Sequence, residues 1–197
     1  MKTYQKTTRL IIFTGLLFFS GCKIFSLYPL YHEEDLIVKT ELIGIWQMDS
    51  SENNYIRIDT LQDELYTFSI LDSKDTVNYA MGLLELNNQY FIDLWALEVG
   101  NYEMWELMGR NFIPVHTFMK FDFIDNEITI TPFDIKRLIK LFKENKIRLA
   151  HEFPWGKEDD DYVVITASTS DLQKFIARYA NDKDAFEVAD IYHRVKP

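Results

Sequence analysis

Glu41-Leu42-Ile43-Gly44-Ile45-Trp46-Gln47-Met48 alternates in polarity as a half-buried strand does, and it carries Gly-x-Trp just after an apolar approach. The same period recurs downstream. Tyr55–Asp59, Leu65–Leu71 (with Tyr66, Phe68 and Ile70 on one face), Val77–Leu86, Gln89–Ala96, Val115–Phe123, Ile128–Thr131, Ile147–His151 and Tyr162–Ala167 all read as strands. Asn87-Asn88 is a compact polar turn, so the strands around it form a hairpin, and Asp125-Asn126 makes a second tight turn. About nine strands joined mainly in sequence fit an antiparallel meander closed into a barrel. A flat sheet of that length would leave edges that invite aggregation.

Gly44-x-Trp46 resembles the opening of lipocalins and related calycin barrels. In that family the glycine lets the chain turn into the first strand and the tryptophan closes one end of the barrel. The resemblance implies a mostly-β, lipocalin-like antiparallel barrel of eight or nine strands over residues 41–197. The family's later Thr-Asp-Tyr is absent, and Asp161-Tyr162 is its nearest echo. For the arginine that packs on the tryptophan in the family, Arg178 is the candidate.

Two covering helices interrupt the strands. Asp134–Glu144 places Ile135, Leu138, Ile139 and Phe142 at helical spacing, with Lys and Arg between them. A solvated surface is the simplest reading of that basic face, and contact with lipid headgroups is the alternative. Ser170-Asp171-Leu172-Gln173 has the capping-box pattern and opens a helix striped with Leu172, Phe175, Ile176 and Tyr179.

The start of the chain is of another kind. Lys2, Lys6 and Arg9 precede an apolar run, Leu10–Phe19, that is too short for the roughly 17–25 residues of a bilayer-spanning helix. A basic start, a short apolar core and small residues at the end describe a secretory signal peptide. Here Ser20-Gly21 leads into Cys22, which resembles the lipobox of bacterial lipoproteins, with Phe19 where leucine is usual. That family is cleaved before the cysteine, which receives a diacylglyceryl group and an N-acyl chain. The resemblance implies a signal peptide at 1–21, lipidation at Cys22 and a tether and docking segment over 22–40. An ordinary signal peptide with a chance cysteine, or a single-pass anchor, is the competing account. Each buried methylene contributes ~0.8 kcal/mol and one acyl chain holds only marginally, so a multiply acylated cysteine is a lasting anchor. Lys23 follows the cysteine and no acidic cluster comes next. For a Gram-negative host this favours the periplasmic face of the outer membrane.

Cleavage would leave 176 residues, the size of one domain, and no other cysteine: no disulfide and no thiolate nucleophile or ligand. The remaining 18 basic and 31 acidic residues give a net charge of −13, against −10 for the whole chain. Such a domain repels phosphate backbones and anionic headgroups, so no nucleic-acid partner is expected and the lipid supplies membrane attachment. The high aromatic content, 15%, suits a packed strand-rich domain.

Chemical motifs are sparse. Gly-x-Ser-x-Gly, Ser-x-x-Lys, His-Glu-x-x-His and phosphate-cradling glycine loops are all missing from the sequence, and no paired-carboxylate spacing stands out. No cofactor, metal or catalytic residue is assigned. His32-Glu33-Glu34-Asp35 suits a short helix start, or a cation site. His116 and His151 lie on separate strands and would need adjacency to share a metal with Asp93 or Glu152. Asp93, between Phe91 and Trp95, is a polar contact in a pocket or an outward-facing residue. Leu97–Phe112, with Tyr102, Met104, Trp105, Leu107, Met108 and Phe112, is a long apolar connection that either covers a pocket mouth or plugs the barrel. The leading reading is non-catalytic binding of a small apolar or amphipathic ligand in the barrel. Its candidate lining is Trp46, Tyr66, Phe68, Tyr79, Trp95, Trp105, His116 and Phe118. The alternative is an envelope protein-interaction or structural module with a solid core.

Overall fold

The computed structural model describes residues 23–51, 53–71, 76–97, 113–153 and 162–195. Cys22, the segment before it, residues 98–112 with Trp105, and Asp161 lie outside the described residues.

Eight antiparallel strands close into a barrel. Seven follow in sequence: β2 (Gly44–Met48), β3 (Tyr55–Thr60), β4 (Tyr66–Leu71), β5 (Thr76–Leu86), β6 (Gln89–Ala96), β7 (Thr117–Ile124) and β8 (Glu127–Thr131). These are the expected meander. The turn between β5 and β6 takes Asn87 and Asn88 to φ of 53° and 59°, the left-handed pair that a two-residue hairpin needs and asparagine tolerates.

Closure departs from the sequence reading. Ile147–His151 and Tyr162–Ala167 supply no barrel strand. They yield β9 (His151–Glu152) and β10 (Tyr162–Ile165), which join β1 (Lys23–Ser26) in a separate three-stranded sheet, β1 parallel to β10. The barrel is sealed by β11 (Asp190–Arg194), which pairs with both β2 and β8 and was not anticipated. The reason is physical. Val163 and Ile165 alternate as a half-buried strand should, but alternation does not say against which layer a strand is buried. In β11, by contrast, the inward positions are Asp190, Tyr192 and Arg194, which carry no apolar pattern to detect.

Two cores result. Inside the barrel, Trp46, Ile58, Tyr66, Phe68, Met81, Leu83, Ile92 and Phe121 pack together. Outside it, Leu84, Phe91 and Phe118 of the wall meet the small sheet and two helices, α1 (Ile135–Lys143) and α2 (Thr169–Tyr179). α1 buries the expected Ile135, Leu138, Ile139 and Phe142 and is capped by Asp134, whose carboxylate accepts from Arg137 N at 2.9 Å. α2 buries Leu172, Phe175 and Ile176. Its cap is Ser168 rather than Ser170: the Ser168 hydroxyl accepts from Asp171 N, so the helix starts two residues earlier than the Ser170 pattern suggests.

Between β1 and β2 the chain runs as a strap across the outer wall. Ile37 N donates to Leu83 O at 2.9 Å, and Leu36 bridges Leu84, so the strap lies beside β5 beyond the last residue that β4 pairs. Gly82 permits this approach, because a Cβ there would stand 2.9 Å from Tyr31 and 3.0 Å from Leu36.

Candidate functional site

At the barrel's first strand the Gly-x-Trp reading acquires atoms. Trp46 is buried, and its indole N–H donates to Leu42 O at 3.0 Å. Arg194 of β11 lies over the ring with its guanidinium carbon 4.0 Å from the centroid, and it donates to Ile43 O at 2.9 Å and to Glu41 O. Gly44 has φ of +152°, and a Cβ there would come within 2.5 Å of Arg194 Nη1, so both the backbone and the arginine demand glycine. The stacking arginine is therefore Arg194 and not Arg178, which sits exposed on α2 beside Tyr179. Sequence position misled because the last helix is followed by one more strand.

The eight candidate lining residues divide. Trp46, Tyr66, Phe68 and Tyr79 face the barrel interior. Trp95, His116 and Phe118 lie on the outer wall, under or beside the second layer. Trp105 lies outside the described residues. The division follows from register: Asp93 pairs with Phe118 and Leu94 with Thr117, so alternate residues of β6 and β7 face opposite sides of the wall.

On that outer wall stands the one deeply buried carboxylate of the described residues, Asp93, with no exposed surface. It accepts from Leu30 N of the strap at 2.6 Å, and its other oxygen lies 2.6 Å from His116 Nδ1. The Trp95 ring packs 5.3 Å from the His116 ring and 6.1 Å from Tyr31. Burial pushes the Asp93 carboxyl above its ordinary value, against the lowering effect of His116 and Leu30. The Tyr31 hydroxyl is pushed up to about 12, first by burial and then by the charges of Asp93 and Glu33.

An oriented Asp–His pair is two-thirds of a hydrolytic triad, but among the described residues no hydroxyl is hydrogen-bonded to the His116 ring. Ser26 bridges His116 through the backbone, yet its hydroxyl donates to Tyr28 O at 2.7 Å, so no nucleophile–base bond forms. The cluster instead fixes the strap. Two residues of α2 hold the same segment from the other side through three hydrogen bonds. Thr169 Oγ1 donates to Pro29 O at 2.8 Å, and Gln173 Nε2 donates to Leu30 O at 2.9 Å and to Asp35 at 2.7 Å.

The structure does not bring the two histidines together. His116, Ser26, Ile165 and His151 lie in one row across four segments, so three strand spacings, about 14 Å, separate the backbones of the two histidines. His151 packs on Phe142 at 4.3 Å, and among the described residues no group of three or more His, Cys, Asp or Glu could hold a metal ion. Glu33–Asp35 forms a single helical turn, the plainer of its two readings.

Two surface concavities are lined by described residues. A groove of about 490 Å³ lies among Tyr28, His32, Thr166, Ser168, Thr169 and Ser170 at the start of α2. A smaller hollow of about 170 Å³ lies beside His193, Asp49 and Gln47. The hollow also borders Met48 of the barrel core, whereas the groove is lined by no member of that core. Among the described residues no helix is long and apolar enough to cross a membrane.

Comparison with protein-family models, curated proteins and solved structures finds no match to this chain.

Proposed function

We propose that this protein is a lipid-anchored envelope lipoprotein whose lipocalin-like barrel is a solid, non-catalytic scaffold that works through its outer surface as an interaction module. The observation that carries the reading is the filling of the barrel. Ile58, Met81, Leu83, Ile92 and Phe121 have no surface that a water-sized probe reaches, so none of them borders a water-sized cavity. A ligand inside the barrel would have to displace these side chains, and overpacking a filled core costs about 1–3 kcal/mol or more. The N-terminal lipid would be the means of attachment, with the envelope as the location and an envelope protein as the partner.

A second reading has one observation in its favour. Tyr79 and Ile70 are only half-buried, on the barrel side of adjacent strands β4 and β5. A small apolar ligand would then sit shallowly at that end rather than in the interior. Native mass spectrometry of the mature protein, extracted in detergent, separates the two. The solid scaffold should show only the acylated polypeptide mass. A stoichiometric apolar molecule that survives desolvation would overturn it in favour of ligand binding.

A further inference from the structure

We propose that the basic face of α1 rests against an anionic bilayer surface and sets the orientation of the anchored domain. The inference rests on the acylation of Cys22 proposed above. It begins with the absence of slack. Lys23, the residue bonded to Cys22, is already in register with Tyr162, and β1 is hydrogen-bonded along its length. Consecutive Cα atoms are only 3.8 Å apart. An anchor at Cys22 therefore holds the fold flush with the membrane and does not let it float on a linker.

At that distance charge distribution matters, because surface fields act over about 8 Å at physiological salt. The chain after the anchor is acidic, yet its cations are concentrated. Lys136, Arg137, Lys140, Lys143, Lys146 and Arg148 fall within 13 residues that hold a single acid, Glu144. Arg137 is engaged by Asp182 at 3.2 Å and Lys146 by Glu144 at 2.6 Å. Lys136 and Lys140 are exposed on a flank of α1 beside its apolar stripe. The C-terminal end of this helix also lies near the anchor. Lys143 Nζ is 5.9 Å from the Phe153 ring. Phe153 follows β9, and β9 is two strand spacings, about 10 Å, from β1. An anionic leaflet therefore favours the tilt that brings α1 towards it.

The test uses the mature lipoprotein reconstituted in vesicles of phosphatidylcholine, with or without phosphatidylglycerol. A water-soluble amine reagent is applied and labelling is read by peptide mass spectrometry. Lys136 and Lys140 should label about fivefold more slowly in the anionic vesicles, the scale set by one lysine's attraction to such a surface. Lys174 on α2 should not change. High salt should remove the protection. So should a flexible spacer of about ten residues after Cys22, whose reach of roughly 15–20 Å exceeds the screening length. K136E, read at Lys140, and K140E, read at Lys136, should each weaken it while still floating with the vesicles. Equal labelling of α1 and Lys174 in a protein that floats overturns this orientation alone. An unacylated N-terminal peptide and failure to float overturn the anchor with it.

Discussion

Asp93 is the residue on which the two layers of this molecule agree. It joins the barrel wall, through His116, to the strap, through Leu30 N. Asp93→Ala would leave a buried amide and an imidazole without their acceptor, and should cost about 3 kcal/mol by urea denaturation. Asp93→Asn should cost much less, since its carbonyl accepts from Leu30 N and its amide reaches His116. The pH dependence separates the two forms further. Burial raises the folded pKa above the ordinary 3.8, so the folded state holds its proton where the unfolded chain has released it. Stability from this group is therefore present at low pH and lost as pH rises from about 4 through the folded value. Wild type should lose ground to Asp93→Asn over that window. A gap moving the other way would show that pairing with His116 outweighs burial. The sequence offered Asp93 as a pocket contact or an outward residue. Alternation placed it on the face of Phe91 and Trp95 but could not say that a strap from 63 residues earlier covers that face.

Among the elements, β2 to β8 and both helices were legible because each is a local pattern: period two in strands, an apolar stripe in α1, a two-asparagine turn. What failed was assignment of partners. α2 shows the limit at small scale. Both Ser168 and Ser170 precede a plausible first turn, and local pattern alone favoured Ser170. The backbone at Ser168 is extended, with φ of −62° and ψ of 155°, which is the N-cap conformation. Ser168→Ala should therefore lower stability by about 1 kcal/mol, whereas Ser170→Ala should stay within about 0.5 kcal/mol. Thermal unfolding followed by circular dichroism compares them, and the reverse order would return the cap to Ser170.

For the whole molecule, the strap makes the N-terminal segment part of the fold and the barrel depends on its last strand. On the proposed anchor, Cys22→Ser should leave a folded protein in the soluble fraction, because the net charge of the rest opposes binding and the basic face of α1 only orients a domain that the lipid already holds. Cell fractionation checks this, and a processed variant that still sediments with membranes would refute the anchor. The sequence by itself determined the class of the fold, the meander, the two helices and the charge, since these depend on neighbours within a few residues. It also carried the local run ending at Cys22 on which the proposed anchor rests. The tertiary structure alone decided that Asp190–Arg194 closes the barrel, that Arg194 and not Arg178 covers Trp46, and that Trp95, His116 and Phe118 face outward. Each of these is a pairing between distant segments. An alternating strand states that one face is buried and is silent about what buries it. That silence is why Gly44-x-Trp46 could announce a barrel without naming the strand that would seal it.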